Sequence, residues 1–514
     1  MRKKKSETGA EKVRKRKKRA NKKSIFYLLS FKNLKTEISG YGYHYSIKSF
    51  VLQLLISFAV IFIASLIYEL NWVPILCLLL IGAICTPYVI LAQFRYLYEE
   101  KRFADAGVYM TQMLYSFKKT PKILNALQDT QGVCSKKCSD IIQYAIDYIK
   151  KGDYKEDLYK EAFAPIEKEY GCDRLSTVHR FLKHVEDVGG EYRNGVNLLL
   201  DDIQKWTERT YCYQKDRKSM KFKAMVAIVL CMVICAVIIN LLPEQFSITG
   251  YPLYQISTTI LLAIFIFMYS LIQSKMNGQW LRKTKSLKDK KVDYYKDLAS
   301  GAKTRFLYIK VIPLIAFTII GIGYLIFAKS YVYALICLLL LTFLIYYPIM
   351  QIRTAKRTLK REINKVFPDW IRDLSLNLQM QNVYVAIRDT TPNTPYVLRT
   401  ELEYLLEQID KDPVSIKPYY DFLSEFDIPE IATNMSMIYS LNKYGRADAE
   451  KQINTLIERN SKLLEKSEIL KNKDEIGVTG FFLMTVPELC TVVKLLIDMT
   501  LMLMTFLSMT QSMV

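Results

Sequence analysis

Histidine and glycine are scarce in this chain of 514 residues, which holds three of the first and 19 of the second. No G-x-x-x-x-G-K-[ST] loop occurs, and Gly301-Ala302-Lys303-Thr304 lacks the first glycine at the distance a phosphate-cradling loop needs. The chain is therefore not expected to hydrolyse ATP. Nor does it carry H-E-x-x-H, G-x-S-x-G or a Cys-His arrangement of catalytic spacing. Cys134 and Cys138 stand in C-x3-C spacing with His179 and His184 further on, but no zinc-ligand pattern is completed. No enzyme, cofactor or metal is expected.

A disulfide framework is also missing. Of the ten cysteines, Cys77, Cys85, Cys231, Cys235, Cys337 and Cys490 lie in apolar runs, where cysteine acts as a small hydrophobe. Reduced thiols on the cytoplasmic side are the expectation. Alternating valine- or threonine-rich runs are absent, so no sheet is expected.

What the chain does have is positive charge and apolar length. The net charge is +22 and 51% of residues are hydrophobic, with a mean hydropathy of +0.07. Eight spans of ~20 residues would use ~160 residues and leave the rest free to stay charged. The fold class expected is all-α, a multi-pass membrane protein with two cytoplasmic helical-bundle domains.

Hydropathy divides the chain into eight parts. Residues 1–49 are basic, with the run Arg14-Lys15-Arg16-Lys17-Lys18-Arg19, and 24–39 read as an amphipathic interfacial helix. The basic arm would suit nucleic acid, but the spans that follow favour contact with anionic lipid, and no nucleic acid partner is expected. Residues 50–94 form a first pair of spans and 95–222 a helical domain. A second pair lies at 223–272, a basic linker at 273–310 and a third pair at 311–350. A second helical domain at 351–475 leads to 476–514, read as a hairpin of two short spans hinged near Pro487. Basic residues flank the same side throughout, including Arg282 and Lys288 in the linker. Both termini and both domains are thus expected in the cytoplasm.

The order pair, domain, pair occurs twice. The run Ile75 to Leu80 resembles Leu335 to Leu340, with Pro87 and Pro348 following. Phe103-Ala104-Asp105 recurs as Phe367-Pro368-Asp369, and Ala126-Leu127-Gln128-Asp129-Thr130 as Ala386-Ile387-Arg388-Asp389-Thr390. Pro243-Glu244 pairs with Pro487-Glu488. These matches describe a tandem repeat in parallel orientation. Gly189-Gly190 and Gly445 are placed as helix ends.

Charged candidates fall into three groups. Asp105, Asp129, Asp369 and Asp389 recur in both halves, and Asp near a helix start caps free N–H groups. A docking role for a partner is the alternative. Lys283, Lys285, Lys288, Lys290 and Lys291 make the linker a second candidate surface. Glu488, Lys494 and Asp498 interrupt the last apolar run, and are read as the external turn of the hairpin.

The segments Phe103-Ala-Asp-Ala-Gly-Val-Tyr-Met-Thr-Gln-Met-Leu and Phe367-Pro-Asp-Trp-Ile-Arg-Asp-Leu-Ser-Leu-Asn-Leu resemble those that open the helical domains of the type II secretion protein F family. The likeness is strongest to its tight-adherence (Tad) pilus branch and covers nearly the whole chain after Ser46. Two units in one chain are similar to the archaellum platform arrangement. Tyr384 stands where the family often has glycine, and the first domain is longer than the second. The resemblance implies a non-enzymatic platform of the cytoplasmic (inner) membrane whose partners are a hexameric secretion ATPase and pilin-like subunits; membrane lipid and a second copy of the chain complete the expected partners. A permease served by a separate ATPase, or a conjugation scaffold, is the alternative.

Overall fold

In the computed structural model, residues 25–152, 158–190, 192–241, 243, 247–277, 280–281, 287–302, 304–327, 331–379, 381–441 and 446–512 are described. Every regular element among them is helical. In chain order these are α1 (Phe31–Gly40), α2 (Ile47–Ile67), α3 (Trp72–Lys119), α4 (Ile123–Gln131), α5 (Lys136–Lys151) and α6 (Leu158–Tyr170). Then come α7 (Asp173–Val188), α8 (Arg193–Asn240), α9 (Pro252–Met276), α10 (Asp289–Ala299), α11 (Thr304–Phe327) and α12 (Tyr331–Leu378). The last are α13 (Val383–Thr390), α14 (Tyr396–Lys411), α15 (Lys417–Asp421), α16 (Pro429–Leu441) and α17 (Arg446–Ser512).

Local chemistry sets several boundaries. Ser46 caps α2 by accepting from the Ser49 amide at 3.2 Å, and Asn382 caps α13 from the Val385 amide at 2.9 Å. Gly189, expected as a helix end, closes α7 with φ at 75°. Gly445 lies outside the described residues.

Among the described residues seven helices are long and apolar enough to cross a membrane: α2, α3, α8, α9, and parts of α11, α12 and α17. The chain end differs from its expectation. In place of a hairpin, Arg446–Ser512 is one continuous helix with Pro487 inside it, so the candidate spans number seven and not eight. Thr491 Oγ1 donates to the Pro487 carbonyl at 2.8 Å, one turn beyond the proline. Lys494 and Asp498, one turn apart, pair with each other and with no solvent.

The chain divides into two compact units. The first comprises Met1–Val108, Lys205–Arg282 and Asn472–Val514. Its core joins Ile61 and Tyr68 of α2, Leu78 of α3, Ile228 and Cys235 of α8, Phe265 and Met268 of α9, and Leu483 and Leu501 of α17. Gly82 allows the close approach of α2 and α3, because a Cβ there would lie 2.4 Å from Ile61 Cδ1. The expected interfacial segment is α1, which buries Leu34 and Ile38 against Ile90 of α3 and exposes Lys32 and Lys35.

The second unit comprises Tyr109–Gln204 and Lys283–Lys471. Its first part buries Met110, Met113 and Phe117 with Leu127, Ile142, Ile166, Leu175 and Leu182. Its second part buries Phe367, Ile371 and Leu374 with Ile387, Leu398, Leu402, Met435 and Leu456. The linker is not merely a connection: α10 joins this core through Val292, and Lys296 bonds Glu401 at 2.6 Å.

Candidate functional site

Within the second unit, a band of charge joins the first helical domain to the second. Arg174, near the start of α7, reaches Asp202 of α8 at 3.1 Å and Glu468 of α17 at 3.3 Å. Arg372 of α12 lies 3.6 Å from the same Asp202 carboxylate, and 3.1 Å from Asp369 and from Asp373. Arg180 then closes on Asp373 at 2.9 Å. Three arginines therefore face four carboxylates in one continuous chain of contacts. Arg372 is only 7% exposed, and Arg174 and Asp202 are nearly as covered. Burial opposes the charge on Arg174, but Asp202 and Glu468 outweigh it and hold the guanidinium above its ordinary value.

The backbone beneath this seam is tied across the same elements. Proline at 368 cannot bond the Asn364 carbonyl, and Ser467 Oγ of α17 donates to that oxygen at 3.4 Å. Asn460 of α17 donates to the Pro368 carbonyl at 2.8 Å and is buried. The break a proline would cause in α12 is thus used to fasten α17 to it.

The predicted aspartates are distributed, and none begins a helix. Asp105 and Asp369 lie well inside α3 and α12, and Asp129 and Asp389 lie in the last turns of α4 and α13. The helix-start explanation is therefore corrected: α3 and α12 begin with their spans and run on past Asp105 and Asp369, and Asp129 and Asp389 lie near helix ends. Asp369 joins the charged seam. Asp389 accepts from Gln381 at 3.1 Å and Arg388 at 3.3 Å, and lines a polar cleft of about 160 Å³ with Arg180, His184 and Asp373. Asp129 accepts from Ser116 Oγ. Asp105 belongs to the first unit. Lys283 and Lys285 lie outside the described residues, while Lys288, Lys290 and Lys291 are exposed at the start of α10.

His179 is a core residue. Its Nδ1 lies 2.9 Å from Glu167, its Nε2 lies 2.9 Å from the Tyr109 hydroxyl, and its ring stacks on Phe163 at 3.8 Å. Burial pushes its pKa below the ordinary imidazole value, with Glu167 opposing the shift.

The apolar unit holds its own ion pair. Lys494 and Asp498 are 2% and 3% exposed, and Lys494 Nζ sits 4.2 Å from the centre of the Tyr254 ring. Tyr254 donates to the Tyr68 carbonyl at 3.0 Å, and Tyr68 donates to the Met232 carbonyl at 2.6 Å. Gln255 locks the turn between α2 and α3, binding Glu69 O and the Asn71 amide, each at 3.0 Å. The expected external turn at Lys494 and Asp498 is therefore a buried pair in the helix middle.

Arg174, Asp202, Arg372, Asp373 and Glu468 were not singled out in the sequence. Only Arg372 and Asp373 carried a local signal, since they follow Asp369 in the segment Phe367-Pro-Asp-Trp-Ile-Arg-Asp. No family model, no curated protein and no solved structure matches this chain.

Proposed function

We propose that this chain is a non-enzymatic membrane platform of a type II secretion or Tad-like pilus machine. It couples a hexameric cytoplasmic ATPase to the assembly of pilin-like subunits. One observation carries the reading. Four helices, α3, α8, α12 and α17, run without interruption from an apolar span into a charged helical domain. A helix of 48 residues is ~72 Å long, and about 30 Å of that fills the hydrocarbon core. The remainder is a lever that transmits displacement without chemistry of its own.

The two helical domains support a tandem repeat. Each opens on a 48-residue helix followed by a short one, α4 or α13, and then a 16-residue one, α5 or α14. Thr130 and Thr390 are both buried and bond back to the Ala126 and Ala386 carbonyls. Seven crossings, with the basic N-terminus inside, put both domains in the cytoplasm and the C-terminus outside.

A permease draws support from Lys494 and Asp498, since buried charges in spans often serve transport. The pair is engaged with itself, however, and the large cavity of that unit is lined by neither residue. Cross-linking in native membranes followed by isolation of the chain tests the platform reading. Recovery of a secretion ATPase and prepilin-like proteins is expected; recovery of a solute-binding protein and a transport ATPase instead would favour the permease.

A further inference from the structure

Between the end of α14 and the start of α16 the chain reverses its charge. From Asp410 to Glu430 six carboxylates stand against two lysines, Lys411 and Lys417, in a chain whose net charge is +22. All six carboxylates are on exposed residues. Lys411 is paired with Glu407 at 2.8 Å, and Asp421, Glu425, Asp427 and Glu430 form no ion pair among the described residues.

Apolar side chains stand among these carboxylates. Val414 is 76% exposed and Tyr420 51%, with Ile416 exposed between them. A single exposed apolar residue is ordinary, but three within seven positions form a patch. Seven residues reach at most ~25 Å even when fully extended, so all three fall within one interface of ordinary size, about 30 Å across.

The backbone that presents them is fixed. Phe422, Leu423, Phe426 and Ile428 are buried in the domain core. Tyr439 donates its hydroxyl to the Val414 carbonyl at 3.0 Å and packs its ring on Tyr419 at 5.4 Å, which draws the two ends of the patch together. Lys360 of α12 donates to the Asp427 carbonyl at 2.9 Å. Leu423 and Asp427 both take the left-handed conformation, with φ of 55° and 45°. That conformation is unfavourable for a leucine and persists only where its surroundings hold it. The loop is thus shaped before a partner arrives, and a preorganised surface gives up less entropy on binding.

Charge selects the occupant. The anionic leaflet surface and the phosphates of nucleic acid both repel a cluster of carboxylates. A twofold contact centred here would set the acidic patch of one copy against that of another. We propose that the segment from Asp410 to Glu430 is a docking surface for a different, soluble protein with a basic docking face, in which an apolar pocket takes Val414, Ile416 and Tyr420 as anchors. The surface depends on the cytoplasmic placement of its domain and not on the platform role, so either can fail alone.

The test places p-benzoylphenylalanine at Tyr420 of the full chain in its own cells, with Tyr144 of the first helical domain, also exposed, as the control position. Light is expected to join the Tyr420 position to one soluble protein that the Tyr144 position does not capture. That protein, purified, is then measured for binding to the full chain in vesicles. Val414→Ser with Ile416→Ser should raise its dissociation rate about tenfold or more. Asp421→Asn, Glu425→Gln and Asp427→Asn together should slow its association and flatten the dependence on salt. All five positions are exposed, so thermal midpoints should stay at the wild-type value. Equal binding by wild type and both variants would overturn the surface. So would adducts confined to lipid, to a second copy or to the same chain, and a Tyr420 position that captures nothing beyond the control.

Discussion

Arg372 of the second helical domain lies 3.6 Å from Oδ2 of Asp202 in the first, and Arg174 meets the same oxygen at 3.1 Å. One acidic residue thus sits between two buried guanidinium groups contributed by different halves of the chain. The two helical domains are thereby joined through charge within their unit.

Removing one member of a buried network leaves its partners charged and unpaired. Arg372→Met should therefore cost about 3–5 kcal/mol of stability. Arg180→Met, whose side chain is 45% exposed against Asp373, should cost about 1 kcal/mol or less. Thermal unfolding in detergent checks the ranking. Equal losses from the two variants would show that the seam is not a buried network.

The pair in the last helix makes a different prediction. Asp498→Asn strands a buried ammonium, and Lys494→Met strands a buried carboxylate, so each single change should reduce stability and yield of inserted protein. The double change Lys494→Met with Asp498→Leu should recover most of the loss, because a buried pair can be replaced by apolar side chains at little cost. A double variant as unstable and as poorly inserted as the singles would show that apolar side chains do not replace the pair.

With the basic N-terminus inside, as proposed, seven crossings would bring the C-terminus outside. A cysteine at Val514 in a Cys-depleted chain should react with an impermeant thiol reagent added to intact cells, as should one at Thr249. Cysteines at Ser139 and Thr455 should react only after lysis. Protection of the Val514 site would restore the eight-span hairpin.

His179 gives a pH signature. Its folded pKa is held below the ordinary value by burial, so the unfolded chain takes up a proton first as pH falls. Its contribution to stability is complete above about pH 6.5 and declines as pH falls through that value toward the lower folded pKa. Thermal midpoints measured from pH 7.5 to pH 5 (about the span of imidazole titration) should fall for wild type. His179→Gln should flatten that decline, and an unchanged slope would remove His179 as its source.

Helix identity was legible in the sequence and helix length was not. Period and hydropathy located the spans, but a span and the charged helix beyond it look like separate elements, and nothing local says that α12 runs on from Tyr331 to Leu378. Pro487, Lys494 and Asp498 read as a turn because each is unfavourable alone in an apolar helix. The pairing of Lys494 with Asp498 one turn apart appears only once the helix is continuous. The seam shows the same limit. Arg372 and Asp369 are three residues apart and visible together, whereas Asp202 and Glu468 are distant in sequence and reach them only through tertiary packing. The linker lysines were expected on a basic connection between spans, but Val292 folds α10 onto a domain core.

The most direct test of the platform reading is binding of the full chain, reconstituted in vesicles, to a purified hexameric secretion ATPase from the same cell. The account predicts that the chain alone hydrolyses no ATP, binds the hexamer, and binds less as salt rises. Replacing Lys283, Lys285, Lys288, Lys290 and Lys291 with glutamine should weaken that binding while insertion is unchanged. Absence of binding by the wild-type chain at low salt, with both partners folded, would contradict the account.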